Sequence, residues 1–243
     1  MKVLILAAGY GTRLYPLTLN IPKALLNIGN RFLIDFLIDK VKIFEEEIVI
    51  ISNNKFYPSF VEWKEKRKYK NLKILNDNTN TPAERLGTLG DIKFVIDKLE
   101  INDDILVLGS DNIFDWSLKK FVEFSKLNNK YCMGVYDIGD LQKAAKFGVV
   151  KTGREKEIVS MMEKPKKPET TDIATCIYFF PKEGLHRVDE YALMHKDKDT
   201  SGKFIEWLYK EERVLAYQFK GVWMDIGHKE ILEEANLKFG GAK

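Results

Sequence analysis

Gly9 and Gly11, followed by Arg13 and later by Lys23, are residue types that together handle phosphate. They sit in the string Leu6-Ala7-Ala8-Gly9-Tyr10-Gly11-Thr12-Arg13-Leu14-Tyr15-Pro16-Leu17-Thr18, then Pro22-Lys23, which grows out of a short apolar run, Val3 to Leu6. Two glycines at the carboxyl end of a strand let the backbone approach a phosphate closely and aim its N–H groups at it. Arg13 adds a fixed-charge fork inside the loop and Lys23 a second cation, a set able to clamp a triphosphate. The dinucleotide fingerprint is excluded: its third glycine is Leu14 here, and Pro16 would interrupt the helix that pattern needs. A Walker A loop is excluded too, since no Gly-Lys-Ser or Gly-Lys-Thr occurs. Judged by the glycines alone, an ordinary strand-to-helix turn beside a solvated arginine is the alternative.

Two carboxylates stand in contexts that suit a metal. Asp111, in Gly109-Ser110-Asp111-Asn112, ends an apolar run from Ile105 to Leu108, and Asp225 lies in Trp223-Met224-Asp225-Ile226-Gly227. A carboxylate at the carboxyl end of a buried parallel strand points into the crevice where ligands bind, and hard oxygen ligands are what Mg²⁺ takes when it bridges phosphates. Taken alone, Asp111 reads equally well as a turn residue capping the next element. A further island is Phe147-Gly148-Val149-Val150 followed by Glu163-Lys164-Pro165, the latter in isolation a solvated charged loop.

In this order, the islands resemble the signature of the sugar nucleotidylyltransferases, or NDP-sugar pyrophosphorylases, which join a sugar 1-phosphate to a nucleoside triphosphate and release pyrophosphate. Nearly every position from Leu6 to Leu17, with Pro22-Lys23, fits that family's opening motif, and the resemblance extends from residue 3 to about residue 230. It implies an α/β fold of the nucleotide-diphospho-sugar transferase type, a Rossmann-like mixed and mainly parallel sheet flanked by helices. It implies catalytic roles for Arg13, Lys23, Asp111 and Asp225, with Mg²⁺ on Asp111 and Asp225. It places the nucleotide on Leu6, Ala7, Ala8, Gly9, Gly11, Thr12, Arg13, Arg85 and Gly87, and the sugar phosphate on Asn112, Gly148, Glu163 and Lys164. The chain looks most like glucose-1-phosphate thymidylyltransferase and uridylyltransferase cores, which points to glucose 1-phosphate with dTTP or UTP. By the same resemblance it stops short of the C-terminal extension that longer members use for assembly, so a monomer or small homo-oligomer is expected.

The departures from the family pattern bear on substrate choice. Thymidylyl and uridylyl members read the base with a Gln in the loop before the Leu89 helix, whereas Pro82-Ala83-Glu84-Arg85-Leu86-Gly87-Thr88 contains none. Arg85 only donates and suits a carbonyl such as uracil O4; Glu84 accepts and suits guanine N1 and N2. Ser110 stands where a Gly commonly precedes the metal Asp, and Cys176 where a Gly often lines the sugar pocket. A guanylyl- or cytidylyltransferase acting on another sugar or polyol phosphate is therefore an alternative, and so is a regulatory protein that binds nucleotide without chemistry.

The elements that must position these residues follow from the hydrophobic pattern. Val3–Leu6, Ile48–Ile51 and Ile105–Leu108 are unbroken apolar runs, as expected of parallel strands buried on both faces, and Leu72–Leu75, interrupted by Lys73, repeats the theme. Helical periodicity lies between them at Phe32–Val41, Val61–Tyr69 and Leu89–Leu99, the last with Thr88 and Asp91 at capping-box spacing. From about residue 130 the pattern is mixed, with strands near Tyr131–Val135, Phe147–Lys151, Ile158–Met162, Thr175–Phe180 and Val214–Phe219 and no long helices between them. A turn at Trp223–Asp225 and a helix over Lys229–Phe239 close the chain, while 76–85 and 195–203 read as mobile loops. One domain over residues 1–243 is expected, with a nucleotide-binding half (1–130) and a sugar-phosphate-binding half (131–243) meeting at the strands' carboxyl ends.

Composition bounds the rest. With 45% hydrophobic and 12% aromatic residues the chain is neither disordered nor membrane-spanning. A net charge of +3 is too small to argue for nucleic acid or a membrane surface, so any anion site is local. Two cysteines, Cys132 and Cys176, make a poor disulfide framework and fit a reducing, cytoplasmic setting. His186, His195 and His228 have no ligand spacing, and the basic run from Lys64 to Lys70 reads as a solvated helix face.

Overall fold

The computed structural model describes residues 1–195 and 201–241. They form the expected α/β fold, with a mixed, mainly parallel central sheet and flanking helices. Two compact units divide the chain discontinuously. Met1–Leu86, Leu108–Asp115 and Val222–Lys243 form the first, and Gly87–Val107 with Trp116–Gly221 form the second.

In the first unit, strand Lys2–Leu6 pairs in parallel with Ile48–Ser52, Val3 facing Ile48 and Leu6 facing Ile51. Ile48–Ser52 pairs in parallel with Leu72–Asn76 in turn. Val3, Leu4, Ile5 and Val49 to Ile51 are all but fully buried, which is why Lys2–Leu6 and Ile48–Ser52 carry apolar residues without alternation. Helix Leu33–Val41 is pinned by Asp35, whose buried carboxylate accepts from Phe32 N at 3.1 Å, from Trp63 Nε1 at 3.0 Å and from Arg67. The helix expected over 61–69 instead runs Tyr57–Arg67. Pro58 pre-sets its first turn, and Lys68, left-handed at φ 55°, ends it.

The turn expected at Trp223–Asp225 is a strand, antiparallel to Asn112–Phe114, with Asp225 facing Asn112 and Trp223 facing Phe114. Pairing is favoured because Met224 and Ile226 join Ile28, Leu33, Ile113 and Ala235 in one buried cluster, which helix Lys229–Phe239 covers. That helix has the expected bounds.

In the second unit, Asp172–Phe180 pairs antiparallel with Cys132–Asp137, and Leu215–Phe219 pairs in parallel with Cys132–Asp137. Ile158–Glu163 pairs antiparallel with Gly148–Thr152, Glu163 facing Gly148. The register of Asp172–Phe180 slips between Ala174 and Tyr178, where Cys176 is left-handed at φ 55°. Helix Gly87–Lys98 starts earlier than expected: Gly87, at φ 77°, opens it, so Thr88 lies within its first turn and not at its cap. Helices Lys119–Asn128, Leu141–Ala144, His186–Met194 and Ser201–Glu211 were not expected. Ser201–Lys203, read from sequence as loop, are therefore helical, while residues 196–200 of that stretch lie outside the described residues. Both cysteines are free thiols, and among the described residues no helix is long and apolar enough to cross a membrane.

Candidate active site

The first unit gathers most of the residues singled out by sequence. Strand Lys2–Leu6 feeds the glycine loop, whose entry is fixed by Ala7 N donating to Ile51 O at 2.9 Å and by the buried Asn53 donating from Nδ2 to Ala8 O at 2.8 Å. Gly9 has nothing within 4 Å of where a Cβ would be, so the loop is open there. Gly11 differs: its φ is 64°, and a Cβ would meet the Thr18 side chain at 3.1 Å. Thr18, fully buried, donates to Gly11 O at 2.7 Å and locks the turn, after which Thr12–Leu14 forms one turn of 3₁₀ helix and Arg13 projects exposed.

Leu6 O accepts from Ser110 N at 3.1 Å, which places Asp111 beside the loop. Lys23 Nζ donates to Asp111 Oδ2 at 2.8 Å and lies 3.9 Å from Asp225 Oδ1. Ile226 N donates to Asp111 O at 2.9 Å, fixing the two carboxylates side by side. Arg13 lies near them, since a Cβ on Gly227 would lie 3.4 Å from its Nη1 and 3.5 Å from Asp225 Oδ2. Burial acts to raise the Asp111 carboxyl, yet the Lys23 ammonium and then Arg13 outweigh it and hold the group below the ordinary range. Asp225 goes the other way, pushed up to about 6 by burial and then by the Asp111 charge.

Asp225 Oδ1 is buried and accepts no hydrogen bond. Among the described residues no group of three or more His, Cys, Asp or Glu side chains is suited to a metal. That donor set fits Mg²⁺ rather than zinc: the hard cation is commonly held by one or two carboxylates and completes its shell with water and phosphate oxygens. An unsatisfied carboxylate oxygen beside a second carboxylate is the arrangement such a cation would complete.

Asn112 supports this pair. Its side chain is 2% exposed, donates from Nδ2 to Gly109 O at 3.2 Å and to Asp111 Oδ1 at 3.1 Å, and accepts at Oδ1 from Trp223 Nε1 at 2.7 Å. Sequence reasoning missed Trp223 as the residue that orients Asn112, although its indole N–H is the one side-chain donor in the Trp223-Met224-Asp225 string. On the loop before helix Gly87–Lys98, Glu84 Oε2 accepts from Asn80 N at 2.8 Å, a bond that holds the Glu84 carboxyl below its usual range, and Arg85 is exposed.

Gly87, Gly148, Glu163 and Lys164 belong to the second unit. Lys164 N donates to Phe147 O at 3.0 Å, and its ammonium, 60% exposed, lies 3.5 Å from Glu163 Oε1. The Glu163 carboxylate sits in a notch between two glycines: a Cβ would lie 3.1 Å from Oε2 if added to Gly148 and 2.1 Å if added to Gly202. Gly202 is in the first turn of helix Ser201–Glu211, so the helix's positive end is brought against the carboxylate. Ser201 Oγ is hydrogen-bonded to the buried Tyr178 hydroxyl at 2.8 Å. Gly202 and Ser201 were missed because the Lys/Asp-rich stretch before them hid the helix.

Comparison with known proteins agrees with this geometry. The family model described as Nucleotidyl transferase matches residues 2–240. The chain is 29% identical over 241 residues to the bifunctional protein GlmU of Methanocaldococcus jannaschii, covering 97% of this chain and 53% of that protein. It is 30% identical over 230 residues to the mannose-1-phosphate guanyltransferase of Saccharomyces cerevisiae, covering 93% of this chain and 61% of the other. The chain thus spans just over half to about three fifths of the length of these curated relatives. In fold it is similar to a UDP-glucose pyrophosphorylase solved with UDP-glucose, at a TM-score of 0.84 and 20% identity, covering 100% of this chain and 99% of that one.

Proposed function

We propose, from the premise that the chain belongs to the nucleotidyl transferase family, that it joins a sugar 1-phosphate to a nucleoside triphosphate, giving an NDP-sugar and pyrophosphate. The observation that carries this reading is the convergence of Arg13, Lys23, Asp111 and Asp225 beside the glycine loop. Two cations and two carboxylates at that place suit phosphoryl chemistry, in which positioning and charge stabilisation do nearly all the work. The sugar-phosphate oxygen attacks the α-phosphorus in line, and pyrophosphate leaves. No protein base is needed, because a phosphate monoester has a second pKa of about 6 and is already ionised at neutral pH.

The loop from Leu6 to Thr12 supplies close backbone approach to the triphosphate, and Arg13 stabilises the leaving pyrophosphate. Lys23 offsets charge at the α-phosphate. Asp111 and Asp225 would hold Mg²⁺, which supplies further positive charge at the phosphate oxygens when bound. Asn112 orients Asp111. Arg85 and Gly87 flank the base, Lys164 takes the sugar phosphate, and Gly148 and Glu163 face the sugar hydroxyls. The two free thiols, Cys132 and Cys176, support a cytoplasmic setting, and a monomer or small homo-oligomer suffices for the reaction.

For the substrate pair, Arg85 supports dTTP or UTP, with glucose 1-phosphate as the sugar. A guanylyl reaction is the second reading. It is supported by the absence of Gln from residues 82–88 and by the yeast relative's guanyltransferase name. Pyrophosphate release, measured with Mg²⁺, each nucleoside triphosphate in turn and a panel of sugar 1-phosphates, tests the reaction and the pair together. Turnover by one pair, lost in Asp111→Asn, is the expected result. Triphosphate binding without turnover by any pair would favour the regulatory reading.

A further inference from the structure

Tyr10 lies between the two glycines of the phosphate loop, yet its side chain turns inward and is 5% exposed. Its ring lies 6.3 Å from that of Phe56, and its hydroxyl is 3.2 Å from Thr79 Oγ1. Thr79 Oγ1 in turn donates to Asp77, at 2.9 Å to Oδ1 and 3.1 Å to Oδ2. A threonine hydroxyl has one proton, and with that proton on the carboxylate the Tyr10 hydroxyl is the donor of the first bond. Asp77 Oδ1 also accepts from Thr79 N at 2.7 Å. Asp77 and Thr79 are 6% and 5% exposed, so the chain from Tyr10 to Asp77 is sealed from solvent along its length. None of its three members takes part in the chemistry proposed above.

The chain joins two loops. At one end is the loop from Gly9 to Arg13. At the other is the segment leading into residues 80–86, which Thr79 immediately precedes. That segment is fixed to the framework by Asn54 N donating to Thr79 O at 2.9 Å and Asp77 N donating to Ser52 O at 2.8 Å. It is tied forward through Asn54 Nδ2 donating to Asn80 Oδ1 at 2.7 Å and through the bond from Asn80 N to Glu84. A shift of the phosphate loop therefore reaches Thr79 through buried hydrogen bonds, which are costly to leave unmade, and passes to residues 80–86 through the exposed bonds at Asn80.

We infer that Tyr10, acting through Thr79 and Asp77, is a positioning residue that couples triphosphate binding in the Gly9–Arg13 loop to base docking on residues 80–86. The inference rests on the nucleotide half of the proposed function and adds a residue that makes base and triphosphate recognition cooperative.

The test compares a nucleoside triphosphate with inorganic tripolyphosphate, which has the charges and no base. Equilibrium binding with Mg²⁺ present is measured for the wild-type protein and for Tyr10→Phe, Thr79→Val and Thr79→Ser, using whichever of dTTP, UTP, GTP and CTP the wild type binds tightest. Tyr10→Phe and Thr79→Val are expected to weaken the nucleotide about three- to tenfold and tripolyphosphate less than about twofold. Thr79→Ser, which keeps the hydroxyl, is expected to bind both like the wild type. Equal weakening of both ligands, or of neither, overturns the coupling, because a residue that only props the phosphate loop moves both alike. A wild-type protein that binds no triphosphate overturns the inference and the nucleotide reading together. Binding that shows the expected pattern in a protein without turnover sustains the inference while the catalytic reading falls.

Discussion

Lys23 Nζ stands 2.8 Å from Asp111 Oδ2, with Asp225 Oδ1 at 3.9 Å. The lysine that sequence assigns to a phosphate is thus also the counter-ion of a carboxylate pair. On the proposed function, substrate phosphate and these carboxylates would compete for one ammonium, and a cation on the carboxylates would release it toward the phosphate.

Replacing that ammonium should expose the competition. Lys23→Met leaves the carboxylates without their nearest cation, and in EDTA the variant is expected to lose about 1 to 3 kcal/mol of stability. Added Mg²⁺ should raise its melting temperature by more than it raises that of the wild type. Equal increments in the two melting curves would mean that the pair is not a cation site.

Asp225 gives a pH signature. Its folded pKa of about 6 exceeds the unfolded value of about 3.9, so the folded chain binds more protons between them. The stability that Asp225 contributes therefore falls as pH rises from about 4 to about 6 and is level above. Asp225→Asn removes this loss, so in EDTA it should be more stable than wild type at about pH 7.5 by on the order of 1 to 3 kcal/mol, and no more stable at about pH 4. Thermal melts across that range check the sign, and a difference that does not depend on pH contradicts it. The same variant should lose turnover.

Arg13 is exposed, so its removal is expected to leave stability within about 0.5 kcal/mol while lowering kcat/KM roughly 30- to 1,000-fold. Steady-state rates and a melting curve on Arg13→Ala separate the two effects. Turnover within a factor of about three of wild type removes Arg13 from the machinery.

Gly202→Ala tests the second unit. A Cβ there would lie 2.1 Å from Glu163 Oε2, so the carboxylate must leave its notch. The expected result is a rise of about tenfold in KM for the sugar phosphate with KM for the nucleotide unchanged, the mark of one lost binding contact. Ala in place of Gly ordinarily favours a helix by about 1 kcal/mol, so a general loss of folding is not the expected route. A change shared equally by both KM values would argue against the assignment of Glu163 to the sugar.

Strands Lys2–Leu6 and Ile48–Ser52 were legible because burial on both faces writes an unbroken apolar run, and helix Lys229–Phe239 because its apolar face repeats with helical period. The glycine loop and both aspartates were legible as residue types. Their arrangement was not. Trp223–Asp225 reads as a turn until Asn112–Phe114 is available to pair with it, and no local pattern carries a partner so distant in sequence. Asn112 shows the same limit: no local pattern foretells that its amide meets Trp223, Asp111 and Gly109. Helix Ser201–Glu211 was hidden because its buried positions, Phe204, Ile205 and Leu208, follow a stretch whose charge reads as loop.

The bond from Trp223 to Asn112 spans 111 residues, and that separation is also an interval in the making of the protein. At roughly 5 to 20 residues per second, a ribosome takes roughly 6 to 20 s to travel from one to the other. Until it arrives, the nascent chain carries its phosphate loop, Lys23 and Asp111, but lacks Asp225. It also lacks Met224, Ile226 and Ala235, the half of the buried cluster that covers Ile28, Leu33 and Ile113. A chain interrupted in that window leaves Ile28, Leu33 and Ile113 without half of the cluster that buries them, an apolar face by which an unfinished product differs from a finished one.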